Sequence, residues 1–231
     1  MPKLELILLG SRSNYFSKYF LLTFTFWAFM KKLLHVGCNT LTKKDTIPYF
    51  QSDDWGEIRF DIDCTVKPDV VGSLTDMSAL ANESIDAIYS AHNLEHLFEH
   101  EVEVALLEFR RVLKQDGFIV ITCPDLQSVC RLIAKQGLQE PAYVAQCGTP
   151  VTPHDILYGW GPPIKNGNLF MAHKSGFDSQ SMHHKLANTG YVDYATFISE
   201  PAFALWAVAR KGNVGQAEIN EFARSVFIGM L

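Results

Sequence analysis

A glycine, an acid and a scatter of histidines are the residues whose types and spacing point to chemistry. Gly37-Cys38-Asn39 closes an apolar run, Leu33 to Val36, and Asp61 falls at the end of the next such run, about 24 residues on. Glycine after a first strand lets main chain approach a ligand, and an acid ending the second strand accepts from ribose hydroxyls. The same pair also suits a strand that merely turns on glycine, with a carboxylate facing solvent. A dinucleotide site would continue as G-x-G-x-x-G, so that pyrophosphate rests on N–H groups at a helix start. Here Asn39 and Thr42 occupy the second and third glycine positions. Pyrophosphate is disfavoured, whereas a ligand bearing adenosine and a compact amino acid is tolerated.

The histidines raise two further chemistries. His92, His96 and His100 recur every fourth residue, which on one continuous helix would place three imidazoles on a face suited to a metal. No H-E-x-x-H accompanies them, and no metal site is expected. For proton transfer the candidates are His92, His154 and His173, followed by Tyr158 and Lys174, which lie in or near a stretch rich in Gly and Pro. Glu95 reads as a structural acceptor for nearby backbone donors.

The elements that must position these residues alternate in type. Short apolar runs at Leu33–Val36, Ile58–Ile62, Val70–Val71, Ala87–Ser90 and Phe118–Thr122 read as strands covered on both faces. Between the last two, Val102, Ala105, Leu106, Phe109, Val112 and Leu113 recur at helical spacing, with acids early and bases late. After Pro124 the pattern is less regular, and the Gly and Pro residues between Cys147 and Asn168 predict a long loop of the kind that covers a substrate. A helix from Asp178 or Ser179 to about Ala187 and two β-rich runs, 191–198 and 203–209, follow. The expected fold is a three-layer α/β/α Rossmann-like domain, with a doubly wound, mostly parallel seven-stranded sheet containing one antiparallel strand.

LLHVGCN (33–39), RFDID (59–63), DVVGSL (69–74), SIDAIYSAHNLEHL (84–97) and LLEFRRVLKQDGFIVITCPD (106–125) together resemble the class I S-adenosylmethionine-dependent methyltransferases. HKSGFDSQSMHHKLANTGY (173–191) is similar to that family's helix before the last strand pair. The resemblance implies S-adenosylmethionine as cofactor. It implies that Gly37, Cys38 and Asn39 face its methionine part, Asp61 its ribose, Ser73 and Leu74 its adenine, and Ser90, Ala91 and His92 the methyl-bearing sulfur. It also implies methyl transfer to a small-molecule or carbohydrate-like acceptor. Two departures, Asn39 for a second glycine and Ser73 where an aspartate commonly meets adenine, leave room for a non-catalytic cofactor- or protein-binding module. An NAD-dependent oxidoreductase is a weaker alternative.

Composition fits this picture. The 231 residues carry 20 Lys+Arg against 25 Asp+Glu and are 48% apolar, as in one globular domain without the basic clusters that nucleic acid demands. Five cysteines without a C-x-x-C pair suit a reducing, cytoplasmic setting. The run Tyr19 to Met30 is too short to span a bilayer, so no stable membrane insertion is expected. The expected organisation is an apolar extension over 1–30, the methyltransferase-like domain over 31–212 and a helical tail over 213–231, with a homodimer allowed.

Overall fold

The computed structural model describes residues 30–145 and 147–229; the expected N-terminal extension therefore lies, but for Met30, outside the described residues. Strand β1 (Lys31–Val36) lies inside the sheet, and its last four residues are buried. It pairs in parallel with β2 (Trp55–Asp61) on one side and β4 (Ile85–Ala91) on the other. The full order adds β3 (Val70–Val71), β5 (Leu113–Pro124), β8 (Asp193–Ser199) and β9 (Ala204–Arg210), giving β3-β2-β1-β4-β5-β9-β8. Only β9 runs against the direction of the other six strands, so the sheet is the expected one. The strand order reverses between β1 and β4, and in doubly wound sheets ligands bind at the carboxyl ends beside such a reversal.

Alternate residues of each strand feed two cores. Leu34, Val36, Ile88, Ile119 and Ile121 face helix α1 (Glu99–Val112) and a later helix, α5 (Ser179–Asn188). The apolar positions read from spacing, Val102, Ala105, Leu106, Phe109 and Val112, are all fully buried. Glu101 caps the start of α1 by accepting from Phe98 N at 2.8 Å, and Arg110 and Arg111 lie in its last turn. Leu33, Ala87, Tyr89, Phe118 and Val120 face the other way, against Phe50, Trp55 and helix α6 (Gln216–Val226), whose Ile219 and Val226 are buried. No long helix follows β1: two 3-10 turns, Lys43–Asp45 and Pro48–Phe50, connect it to β2. An aromatic cushion fills the space, with Phe50 stacked on Phe118 at 6.0 Å and edge-on to Trp55 at 5.1 Å.

Beyond Pro124 the chain is more regular than its composition suggests. Helix α2 (Leu126–Gln136) starts there because Asp125 accepts from Ser128 N at 2.9 Å and from its hydroxyl at 2.6 Å. The expected long loop contains a two-stranded ribbon, β6 (Tyr143–Val144) with β7 (Pro150–Val151), and two short helices, α3 (Pro153–Tyr158) and α4 (Gly161–Lys165). Thr152-Pro153-His154-Asp155 is a capping box with proline in the first turn, where proline starts a helix because its missing N–H has no intrahelical partner to lose.

Candidate active site

At the end of β1 the chain turns through Gly37 (φ +58°) and Asn39 (φ +50°), both left-handed. That turn aims Asn39 N at Asp61 Oδ2 (2.8 Å), while Asp63 N reaches Oδ1 (2.9 Å). The carboxylate at the end of β2 is thus held by main chain on both oxygens and is only 8% exposed. Each oxygen keeps a lone pair for a further donor. Arg59 fastens the arrangement from outside, donating to the carbonyls of Asn39, Leu41 and Lys67. Gly72 N donates to Asp61 O (3.0 Å), which brings the turn after β3 to the same corner. There Ser73 shares its hydroxyl with Thr75 (2.8 Å), and Leu74 packs on the apolar core. The Cys38 side chain is fully buried, and burial pushes its thiol pKa up, so only its main chain borders the turn.

Gly37 is required for a reason the sequence does not announce. A Cβ there would fall 1.5 Å from Asn93 Oδ1. The Asn93 carboxamide donates to Val36 O (2.9 Å) and Ala91 O (3.0 Å), tying the ends of β1 and β4 together across the reversal. Part of the space beside the turn therefore belongs to a side chain. Ser90 lies in the floor, fully buried, its hydroxyl without a partner among the described residues.

One strand further across the sheet edge, the site becomes ionic. His92, left-handed at φ +54°, ends β4 with its N–H on Thr122 O (2.9 Å). Its Nδ1 lies 3.1 Å from Glu95 Oε1. The His92 side chain is 57% exposed and that of Glu95 1%, so the imidazole faces outward and the carboxylate lies beneath it. Burial acts against the charged forms of both, but their hydrogen bond and mutual charge prevail: the pKa of His92 is raised and that of Glu95 lowered. Glu95 thus accepts from an imidazole, where the sequence suggested backbone donors.

The segment 173–175 closes over this turn. Lys174 N and Ser175 N both donate to the main-chain carbonyl of Glu95 (2.7 and 3.1 Å), and the His173 ring meets that of His96 edge-on at 4.9 Å. Burial lowers the pKa of His173. A cavity of about 250 Å³ opens here, lined by Glu95, Pro124, Leu126, Ile156, Tyr158 and His173. His154 stays outside, exposed on α3 with its ring 5.0 Å from that of Tyr158. His100 is exposed and stacked on Phe98. His92, His96 and His100 belong to a strand end, a 3-10 turn and a helix start, so their four-residue spacing does not make one face. Asn93 and the pairing role of Glu95 are the functional features that sequence reasoning misses. Their only signal is the H-x-x-E spacing, which becomes meaningful once a single turn is known to occupy those four residues.

Residues 34–121, from β1 into β5, match the family described as "Methyltransferase domain". Over that stretch the chain is similar to the methyltransferases. Its fold is similar to that of a SAM-dependent methyltransferase from Archaeoglobus fulgidus (15% identity, 86% of this chain and 94% of that one, TM-score 0.51). It is also similar to the PH0226 protein from Pyrococcus horikoshii OT3 (13% identity, 86% and 92%, TM-score 0.52). No curated protein matches by sequence. The matched stretch contains Gly37, Asn39, Asp61 and the His92–Glu95 pair, whereas the segment carrying His173 lies beyond it. Among the described residues no helix is long and apolar enough to cross a membrane.

Proposed function

We propose that this protein is a methyltransferase that transfers a methyl group from S-adenosylmethionine to a small-molecule or carbohydrate-like acceptor, with His92 as the base. The observation that carries the reading is adjacency: a strapped acidic corner at the strand-order reversal lies one strand from the His92–Glu95 pair, whose carboxylate lines a cavity. The residues fit the cofactor at its ribose end, where Asp61 is pre-oriented and retains two acceptor positions. At its amino-acid end the cofactor has to lie against, or displace, the Asn93 carboxamide.

Asp61 would hold the ribose hydroxyls, the turn at Ser73 and Leu74 the adenine, the main chain of Gly37 to Asn39 the amino-acid end, and Ser90, Ala91 and His92 the sulfur. When bound, the cofactor supplies a methyl group on a sulfonium sulfur, whose in-line displacement needs no protonated leaving group. What remains for the chain is orientation, worth roughly 7–11 kcal/mol in well-aligned reactions, and removal of a proton from an acceptor hydroxyl. His92 directs Nδ1–H to Glu95, which leaves Nε2 as the basic nitrogen, and the carboxylate stabilises the imidazolium formed. The cavity, at about 250 Å³, lies below the roughly 300–1,000 Å³ of drug-sized sites, which suits an acceptor of monosaccharide size.

One observation favours a second reading. Asn93 beside Gly37, with Asn39 and Ser73 at cofactor positions, suits a binding module without turnover. Titration with S-adenosylmethionine and S-adenosylhomocysteine by calorimetry, followed by an acceptor screen with labelled methyl donor, separates the two. Methyl transfer supports the enzyme, binding without transfer supports the module, and absence of binding overturns both.

A further inference from the structure

Glu95, His96 and His173 each place one donor atom within 4.8 Å of the others. Both imidazoles turn Nδ1 toward a main-chain carbonyl, His96 toward Ala172 O (3.2 Å) and His173 toward Ile156 O (2.9 Å). Because a carbonyl only accepts, Nδ1 carries the hydrogen and Nε2 is left as the lone-pair nitrogen, the tautomer that a metal takes. Glu95 is 0% exposed. Oε1 is engaged by His92, but Oε2 has no hydrogen-bond partner among the described residues. A buried carboxylate oxygen left open is unfavourable until something positive meets it.

We propose that Glu95, His96 and His173 form a binding site for one divalent transition-metal ion. Two imidazole nitrogens and one carboxylate oxygen suit zinc and its first-row neighbours, whereas magnesium and calcium prefer all-oxygen sets. Tetrahedral bonds of about 2.0–2.2 Å put ligand atoms about 3.4 Å apart. Loading therefore closes the triad by at most about 1.4 Å from its 4.8 Å bound. Three protein ligands leave a coordination position open, and Glu95 and His173 also line the cavity. The open position is thus available to a water molecule or an acceptor oxygen. The ion's role toward an acceptor rests on the proposed methyl transfer; its binding does not.

The test is calorimetric titration of the full chain, stripped with chelator, with zinc chloride and then manganese chloride alone. One equivalent should bind to the wild type and be lost in the His96→Ala/His173→Ala double variant. No stoichiometric binding by folded wild type, or equal binding by the double variant, overturns the site. Should the double variant fail to fold, the visible absorption of the cobalt-loaded wild type decides: bands from nitrogen and oxygen ligands support the triad, and thiolate charge-transfer bands overturn it. S-adenosylhomocysteine binding to stripped protein is measured separately, so failure of the metal site and failure of the methyltransferase reading are distinguishable.

Discussion

The two sides of the strand-order reversal are built from different materials. On the side proposed for the methyl donor, around β1 to β3, main chain dominates: left-handed turns at Gly37 and Asn39, two N–H groups on Asp61 and no long helix between β1 and β2. On the side proposed for the acceptor, around the ends of β4 and β5, side chains dominate, with His92, Glu95, His96 and His173 packed into one corner. The donor side can be rigid because it would meet one ligand in one pose. The acceptor side collects ionisable groups, as the proposed proton removal would require, and it assembles them from segments distant in sequence.

The strongest way to break this division is to remove a reacting side chain while leaving the main-chain side intact. His92→Ala should lower methyl transfer by about 100- to 10,000-fold while S-adenosylhomocysteine affinity changes only a few-fold; labelled-methyl kinetics and calorimetry read the two separately. Comparable loss of both would erase the distinction. Next in size is Phe50→Ala, in the fully buried aromatic cushion that replaces a helix on the donor side. It should cost about 3–5 kcal/mol of folding stability in denaturant titration, and a loss below about 1 kcal/mol would mean the cushion does not support that half. Asp61→Ala should weaken S-adenosylhomocysteine binding by about 100-fold, in line with roughly 1.5–3 kcal/mol for hydrogen bonds to a charged group.

These halves also differ in how far the sequence reveals them. Strands β1 to β5 are legible because each is an apolar run bounded by glycine or acid, and Asp61 and Gly37 lie where strand, turn and strand are local matters. The last helix before β8 is legible too, since Asp178 caps it with its carboxylate on Ser181 N (2.8 Å). Helix α2 is hidden because Pro124 suggests a break, although Asp125 begins a new helix there. The acceptor corner is hidden for a different reason. His173 meets His96 only because main-chain bonds from Lys174 and Ser175 dock a far segment on Glu95 O, and no local spacing encodes that docking. Asn93 next to Gly37 is likewise a contact across the sheet edge.

The smallest effect distinguishes the halves by sign. On the donor side His35 is 2% exposed, 2.8 Å from Glu57, and burial lowers its pKa from the ordinary 6.5 despite that partner. The unfolded chain then binds the extra proton, so stability is full above pH 6.5 and falls as pH drops through the folded value, by at most about 1.4 kcal/mol per pH unit for one group. On the acceptor side Glu95 raises the pKa of His92, so that pair's contribution is full below pH 6.5 and is lost as pH rises through the folded value. His35→Gln should therefore flatten the acid limb of a stability–pH profile, and His92→Gln the limb above pH 6.5. Denaturant midpoints measured from pH 5 to pH 8 would show this, and matching slopes in the two variants would mean that the buried imidazole and the exposed imidazole share one environment.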